Sequence, residues 1–77
     1  VGGGHSWRLS EVIAVLKQFG ISCEEPKSGS HWKCTKPGCR PYTIPAHNGL
    51  KTMIKFPYVM AVCRHFGLDK SIFRSNN

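Results

Sequence analysis

Two apolar stripes of helical spacing, each closed by a glycine, bracket this chain and set most of what it can fold into. Near the start, Leu9, Val12, Ile13 and Leu16 recur at i, i+3, i+4 and i+7; Phe19 extends the stripe and Gly20 follows. Such spacing gathers the apolar side chains on one helix face. Near the end, Val59, Val62, Cys63 and Phe66 repeat the pattern, with Pro57 in the first turn and Gly67 at the close. Proline is tolerated there because its missing N–H has no helical partner, and glycine suits the left-handed residue that ends a helix. Ser6 is the expected N-cap of the first helix, its hydroxyl taking a free backbone N–H. Trp7 is expected to fold over the domain's edge.

The interval between the stripes alternates with a period of two, which is strand spacing. A first strand is expected from Ile21 to Glu25, with Ile21 and Cys23 inward and Ser22 and Glu24 outward. After a loop at Pro26-Lys27-Ser28-Gly29, a second strand runs from Ser30 to Thr35. There Trp32 and Cys34 share one face, and His31, Lys33 and Thr35 the other. Lys36-Pro37-Gly38-Cys39 has the proline and glycine positions of a type II turn. The third strand, Pro41 to Pro45, carries prolines that suit an edge or a strand end. Ala46 to Phe56 reads as a polar, basic connection, and Asp69 to Asn77 as a frayed end with at most one turn.

The expected fold is therefore α+β, in the order α-β-β-β-α: a three-stranded antiparallel sheet with two helices on one face. At 77 residues the chain makes one domain with a thin core, placed at 6–77. Val1-Gly2-Gly3-Gly4-His5 reads as a flexible N-terminal segment, in part a cloning remnant. No apolar run has transmembrane length and no secretory pattern is visible, so the expectation is a cytoplasmic protein without a membrane partner. Cys23, Cys34, Cys39 and Cys63 are then expected as reduced thiols acting as small core hydrophobes.

Charge narrows the function classes. The formal net charge is +7, and from Lys27 to Gly67 there is no Asp or Glu. That interval carries Lys27, Lys33, Lys36, Arg40, Lys51, Lys55 and Arg64. Such a run favours an anionic partner, nucleic acid or an acidic protein, over an anionic membrane surface. It also counts against a Mg²⁺ nuclease, whose ion needs carboxylates. His31, Cys34, Cys39 and His47 are four zinc-capable residues, but His31 and Cys34 project to opposite faces of one strand, so no metal and no cofactor is expected.

His31 is the candidate for proton chemistry. It follows Gly29 and Ser30, where backbone can approach a ligand closely, and it shares its face with Lys33. An imidazole there can take a proton from a ribose 2′-hydroxyl or give one to a departing 5′-oxygen, with lysine stabilising the phosphate charge. A solvated surface histidine is the other reading, and the residues alone leave both open. His47, after Pro45-Ala46, is a candidate second proton carrier or a loop histidine. His65 is expected on the solvated side of the last helix.

With these residues in order, the chain resembles the HicA family of small toxins from type II toxin–antitoxin pairs of bacteria and archaea. The resemblance rests on the helix Leu9 to Phe19 with Gly20, then Gly29-Ser30-His31, Thr43-Ile44-Pro45-Ala46-His47, Leu50-Lys51, and Tyr58 to Leu68. It spans about Trp7 to Asp69. It implies a fold like that of double-stranded-RNA-binding domains and an mRNA interferase, an endoribonuclease acting independently of the ribosome, with His31 catalytic. It also implies a HicB-type antitoxin as partner. The RNA-contact set expected alongside His31 is Lys27, Ser30, Lys33, Lys36, Arg40 and Lys51. The alternative is a non-catalytic RNA-binding module of double-stranded-RNA type, which reads shape and needs no exposed histidine. A basic face that serves mainly to dock an acidic antitoxin is a third reading.

Overall fold

Ser6 does not cap the first helix; it belongs to a short strand. The computed structural model describes residues 6–73, so the segment expected to be flexible at 1–5 and the last four residues of the expected domain lie outside the described residues. The elements are β1 (Ser6–Arg8), α1 (Leu9–Lys17), β2 (Ser22–Glu24), β3 (His31–Thr35), β4 (Tyr42–Pro45), a 3₁₀ turn (Gly49–Lys51), β5 (Met53–Lys55), α2 (Phe56–Phe66) and a second 3₁₀ turn (Lys70–Phe73).

β1 pairs antiparallel with β5, Ser6 opposite Lys55 and Trp7 opposite Ile54. This ribbon is absent from the α-β-β-β-α order, and it turns the expected connection before the last helix into a strand. Arg8 takes the N-cap position instead of Ser6. Its N–H donates to Glu11 Oε1 at 3.0 Å, one half of a capping arrangement. The Leu9 N–H donates to the Thr52 carbonyl at 2.8 Å, tying the helix start to the β4–β5 connection.

At the other end of α1 the Ile21 N–H reaches back to the Leu16 carbonyl and the Gly20 N–H to the Lys17 carbonyl, both at 3.1 Å. This is a Schellman-type close. It ends the helix before Phe19, which is 40% exposed rather than part of the buried stripe. Ile21 is buried as expected but precedes the strand.

β2, β3 and β4 form the three-stranded antiparallel sheet in that order. The turn joining β3 to β4 is type II: the Cys39 N–H donates to the Lys36 carbonyl at 3.0 Å, and Gly38, after Pro37, has φ +85°. One cluster joins Leu9, Val12 and Leu16 of α1 to Trp32, Cys34 and Ile44 of the sheet and Val59, Val62, Cys63 and Phe66 of α2. Both helices thus cover the same face. Each buried Leu, Val or Phe there contributes roughly 1.5–3 kcal/mol by leaving water, which is how so small a core holds.

The described part of the segment after α2 is more ordered than a frayed tail. Phe73 is only 2% exposed, and its ring stands edge-on to Trp7 at 5.7 Å between centroids. Trp7 also lies 5.8 Å from Phe56. Trp7 does close over the edge of the domain, on partners at the start of α2 and in the last 3₁₀ turn. Among the described residues no helix is long and apolar enough to cross a membrane.

Candidate nucleic-acid interface

The open face of the sheet is built by β3. Its burial alternates strictly: His31 and Lys33 are exposed, Trp32 and Cys34 buried. Burying the indole of Trp32 against the helices therefore sends the imidazole and the ammonium to the opposite side. Gly29, at φ +87°, makes the turn into this strand, a conformation that a side chain would strain. The register is carried one residue beyond the strand by the Ala46 N–H, which donates to the Ser30 carbonyl at 2.7 Å.

Cross-strand neighbours complete the face, since directly opposed residues project to the same side. His31 is opposite Pro45, and Lys33 is opposite Thr43 on one side and Glu24 on the other. The stretch that is acid-free along the chain is thus not acid-free in space. Glu24, just before that stretch, stands beside its central lysine.

The remaining expected contacts are divided between the two ends of β3. Lys27 is exposed in the loop that leads into His31, and Ser30 is half-buried beside it. Lys36 and Arg40 belong to the β3–β4 turn at the far end, about 17 Å from His31 at roughly 3.4 Å per strand residue. Lys51 ends the first 3₁₀ turn and is exposed. His31, Lys33 and Lys27 make one neighbourhood, Lys36 and Arg40 another.

His47 lies on neither. It lines a groove of about 300 Å³ between β4 and β5, with Thr43, Pro45, Met53, Lys55 and Tyr58. The outer edges of β4 and β5 have no strand partner among the described residues. Met53 and Tyr58 are 55% and 60% exposed. Thr43 and Pro45 contribute both to this groove and to the His31 face, so the two surfaces adjoin across β4. Thr43, Lys55 and Tyr58 lie outside the expected set of RNA-contact residues. The signal available was the apolar and aromatic pair Met53 and Tyr58 flanking Lys55, but only the β1–β5 ribbon exposes it.

His65 is exposed, as expected, but it is not idle. Its Nε2 lies 2.7 Å from the Arg40 carbonyl. A carbonyl can only accept, so Nε2 carries the proton. The ring packs on Tyr42 at 4.9 Å and edge-on to Phe66 at 4.8 Å. His65 therefore ties α2 to the β3–β4 turn. The four zinc-capable residues are spread apart: His31 on the open face, Cys34 in the core, Cys39 in the turn and His47 on the groove.

No family model matches the chain, and no curated protein or solved structure matches it either. What the fold defines is a small α+β domain, a three-stranded antiparallel sheet with two helices on one face and a basic, histidine-bearing face left open.

Proposed function

We propose that this protein is a metal-independent endoribonuclease of the HicA type, with a double-stranded-RNA-binding-domain-like fold, acting as the toxin of a type II toxin–antitoxin pair in the cytoplasm. The observation that carries the reading is the joint exposure of His31 and Lys33 on the open face of β3. His31 takes the proton from a ribose 2′-hydroxyl as that oxygen attacks the adjacent phosphorus. Lys33 and the Thr43 hydroxyl stabilise the charge that builds on the phosphate oxygens. The 5′-oxygen leaves with a proton, giving a cyclic phosphate and a 5′-hydroxyl. Lys27 steers the backbone towards His31, and Lys36, Arg40 and Lys51 extend the phosphate track. A HicB-type antitoxin neutralises the protein by covering this face.

The chain's donor set supports proton chemistry over a bound cation. It has four acidic residues. Glu11 Oε1 accepts from the Arg8 backbone, Asp69 Oδ1 accepts from the Ser71 backbone, and Glu24 faces Lys33. Among the described residues no three His, Cys, Asp or Glu side chains gather where they could hold a metal ion.

One observation favours the non-catalytic alternative. The direct cross-strand neighbour of His31 is Pro45, which offers neither an acid, a base nor an N–H to orient the ring. A second proton carrier would come from elsewhere: His47 on the groove side, Tyr42, Lys33 or water.

The deciding experiment is RNA cleavage by the purified protein in EDTA, compared with His31→Ala, alongside growth on induction. Cleavage in EDTA that His31→Ala abolishes, with RNA affinity kept, supports the nuclease. Retained binding with no cleavage by either protein supports the RNA-binding module, and a strict Mg²⁺ requirement rejects the mechanism.

A further inference from the structure

Two of the four cysteines meet across the sheet. Cys23 on β2 and Cys34 on β3 are directly opposed partners in the antiparallel register. Their Sγ atoms are 3.0 Å apart in a thiol–thiol hydrogen bond. Opposed antiparallel residues have Cα atoms about 4.5–5.5 Å apart, which falls inside the roughly 4.4–6.8 Å that a disulfide spans. The pair therefore needs only a small approach of the two sulfurs to bond.

The two thiols are not equivalent. β2 is an edge strand, and Cys23 is half-exposed there, whereas Cys34 is fully buried. The hydrogen bond between the two sulfurs holds the Cys23 thiol below its usual range, outweighing the opposing effect of burial. That same contact, together with burial, pushes Cys34 up. Cys23 is thus the accessible sulfur that ionises first, with a protonated thiol against it.

We propose that Cys23 and Cys34 are a peroxide-responsive dithiol, in which Cys23 meets the oxidant and Cys34 resolves it to a disulfide joining β2 and β3. The Cys23 thiolate attacks one oxygen of hydrogen peroxide; the O–O bond breaks and hydroxide leaves, to be protonated to water. Cys23 now carries a sulfenic acid. The Cys34 sulfur attacks the Cys23 sulfur, the S–O bond breaks, and the hydroxyl leaves as water with the Cys34 proton. Two thiols have lost two protons and two electrons, and the peroxide has become two waters. A dithiol reductant reverses the change by exchange. The ring so closed contains Lys27, Ser30, His31 and Lys33, so oxidation fastens the base of the loop that leads into the open face.

The test begins with protein reduced, desalted and treated with hydrogen peroxide, then capped with maleimide and weighed intact. Two of the four thiols should resist capping, with a mass loss of about two units that dithiothreitol reverses. Peptide mapping in a Cys39→Ser background, where only one cysteine remains in the tryptic peptide that holds Cys34, should join that peptide to the one holding Cys23. Cys23→Ser, a change at a half-exposed edge position, should abolish the linkage, and Cys39→Ser should not. Oxygen added without linkage, pairing through Cys39 or Cys63, or four thiols still free overturns the proposal. The thermal midpoint of the oxidised form should rise by on the order of 10 °C, because an unstrained cross-link restricts the unfolded chain. A lowered midpoint shows that the strands must be distorted to close the bond, and rejects a preset pair. No arm depends on nuclease activity, so failure here leaves the proposed function standing, and the reverse.

Discussion

Glu24 and Lys33 face each other across β2 and β3 on the open side of the sheet. The one carboxylate in register with the candidate site sits beside the lysine expected to hold phosphate. At that register position it puts a negative charge on the β2 border of the open face.

Glu24→Gln should therefore tighten binding of a short RNA by roughly two- to fivefold at low salt, the size of one exposed pair interaction. Lys33→Ala should weaken it and reduce the slope of log affinity against log salt by about one. Fluorescence anisotropy over a salt series reads both. Equal affinities for the Glu24→Gln and unaltered proteins would remove Glu24 from the binding face.

His65 joins α2 to the β3–β4 turn through the Arg40 carbonyl. Its replacement by alanine should cost about 1 kcal/mol, lowering the thermal midpoint by roughly 4–8 °C. His65→Gln, which can still donate, should recover part of that loss. Calorimetry of the three proteins decides it, and RNA cleavage should change little in any of them.

Phe73 seals the Trp7 end of the core although it lies beyond the last long helix. Phe73→Ala should cost about 3–5 kcal/mol, as emptied aromatic sites do, whereas Phe73→Leu should keep most of the stability. Urea unfolding followed by tryptophan fluorescence measures both. A frayed tail would show no effect from either change.

Two thiols make stability fall at alkaline pH. Burial pushes Cys63 up, with the Asp69 charge adding to it, and the Cys23 contact and burial push Cys34 up. A thiol whose folded pKa exceeds its unfolded value stays protonated in the fold while the unfolded chain ionises. Its contribution is complete below the unfolded pKa, ordinarily near 9.0, and is lost as pH rises above it. Cys23, held low, acts in the opposite sense over the interval below that value. Urea unfolding between pH 8 and 10 should show stability dropping by up to about 1.4 kcal/mol per pH unit for each raised thiol. Cys63→Ala should flatten the drop, and an unchanged slope would exclude Cys63 as a contributor.

The parts of the fold legible in the sequence were those with a sustained period. The stripe Val59, Val62, Cys63 and Phe66 is buried residue for residue, because two turns of helix repeat often enough to be read. The alternation of β3 was equally plain, since Trp32 and Cys34 contrast sharply with His31 and Lys33. The β1–β5 ribbon was not, because three residues on each side carry no measurable period, and Ser6 before an apolar stripe imitates a helix cap. Phe19 misled for a related reason. Its spacing fits the stripe, but the glycine-closed turn ends the helix first.

The candidate site was legible in its orientation and not in its neighbours. That His31 and Lys33 point the same way follows from strand geometry alone. That Glu24 stands beside Lys33, and His47 on a separate groove, depends on hairpin registers and loop paths that pair residues far apart along the chain. Local pattern carries no information about those.

The alternation along β3 has one more consequence. Because Trp32 sits between His31 and Lys33 on a strand with period two, a slip of one residue would bring the imidazole and the ammonium into the hydrocarbon interior and strand the indole in water. The open face and the packed face are two readouts of a single register. Whatever keeps the indole buried also keeps position 31 on the open side, so the direction in which the imidazole points is set by folding itself.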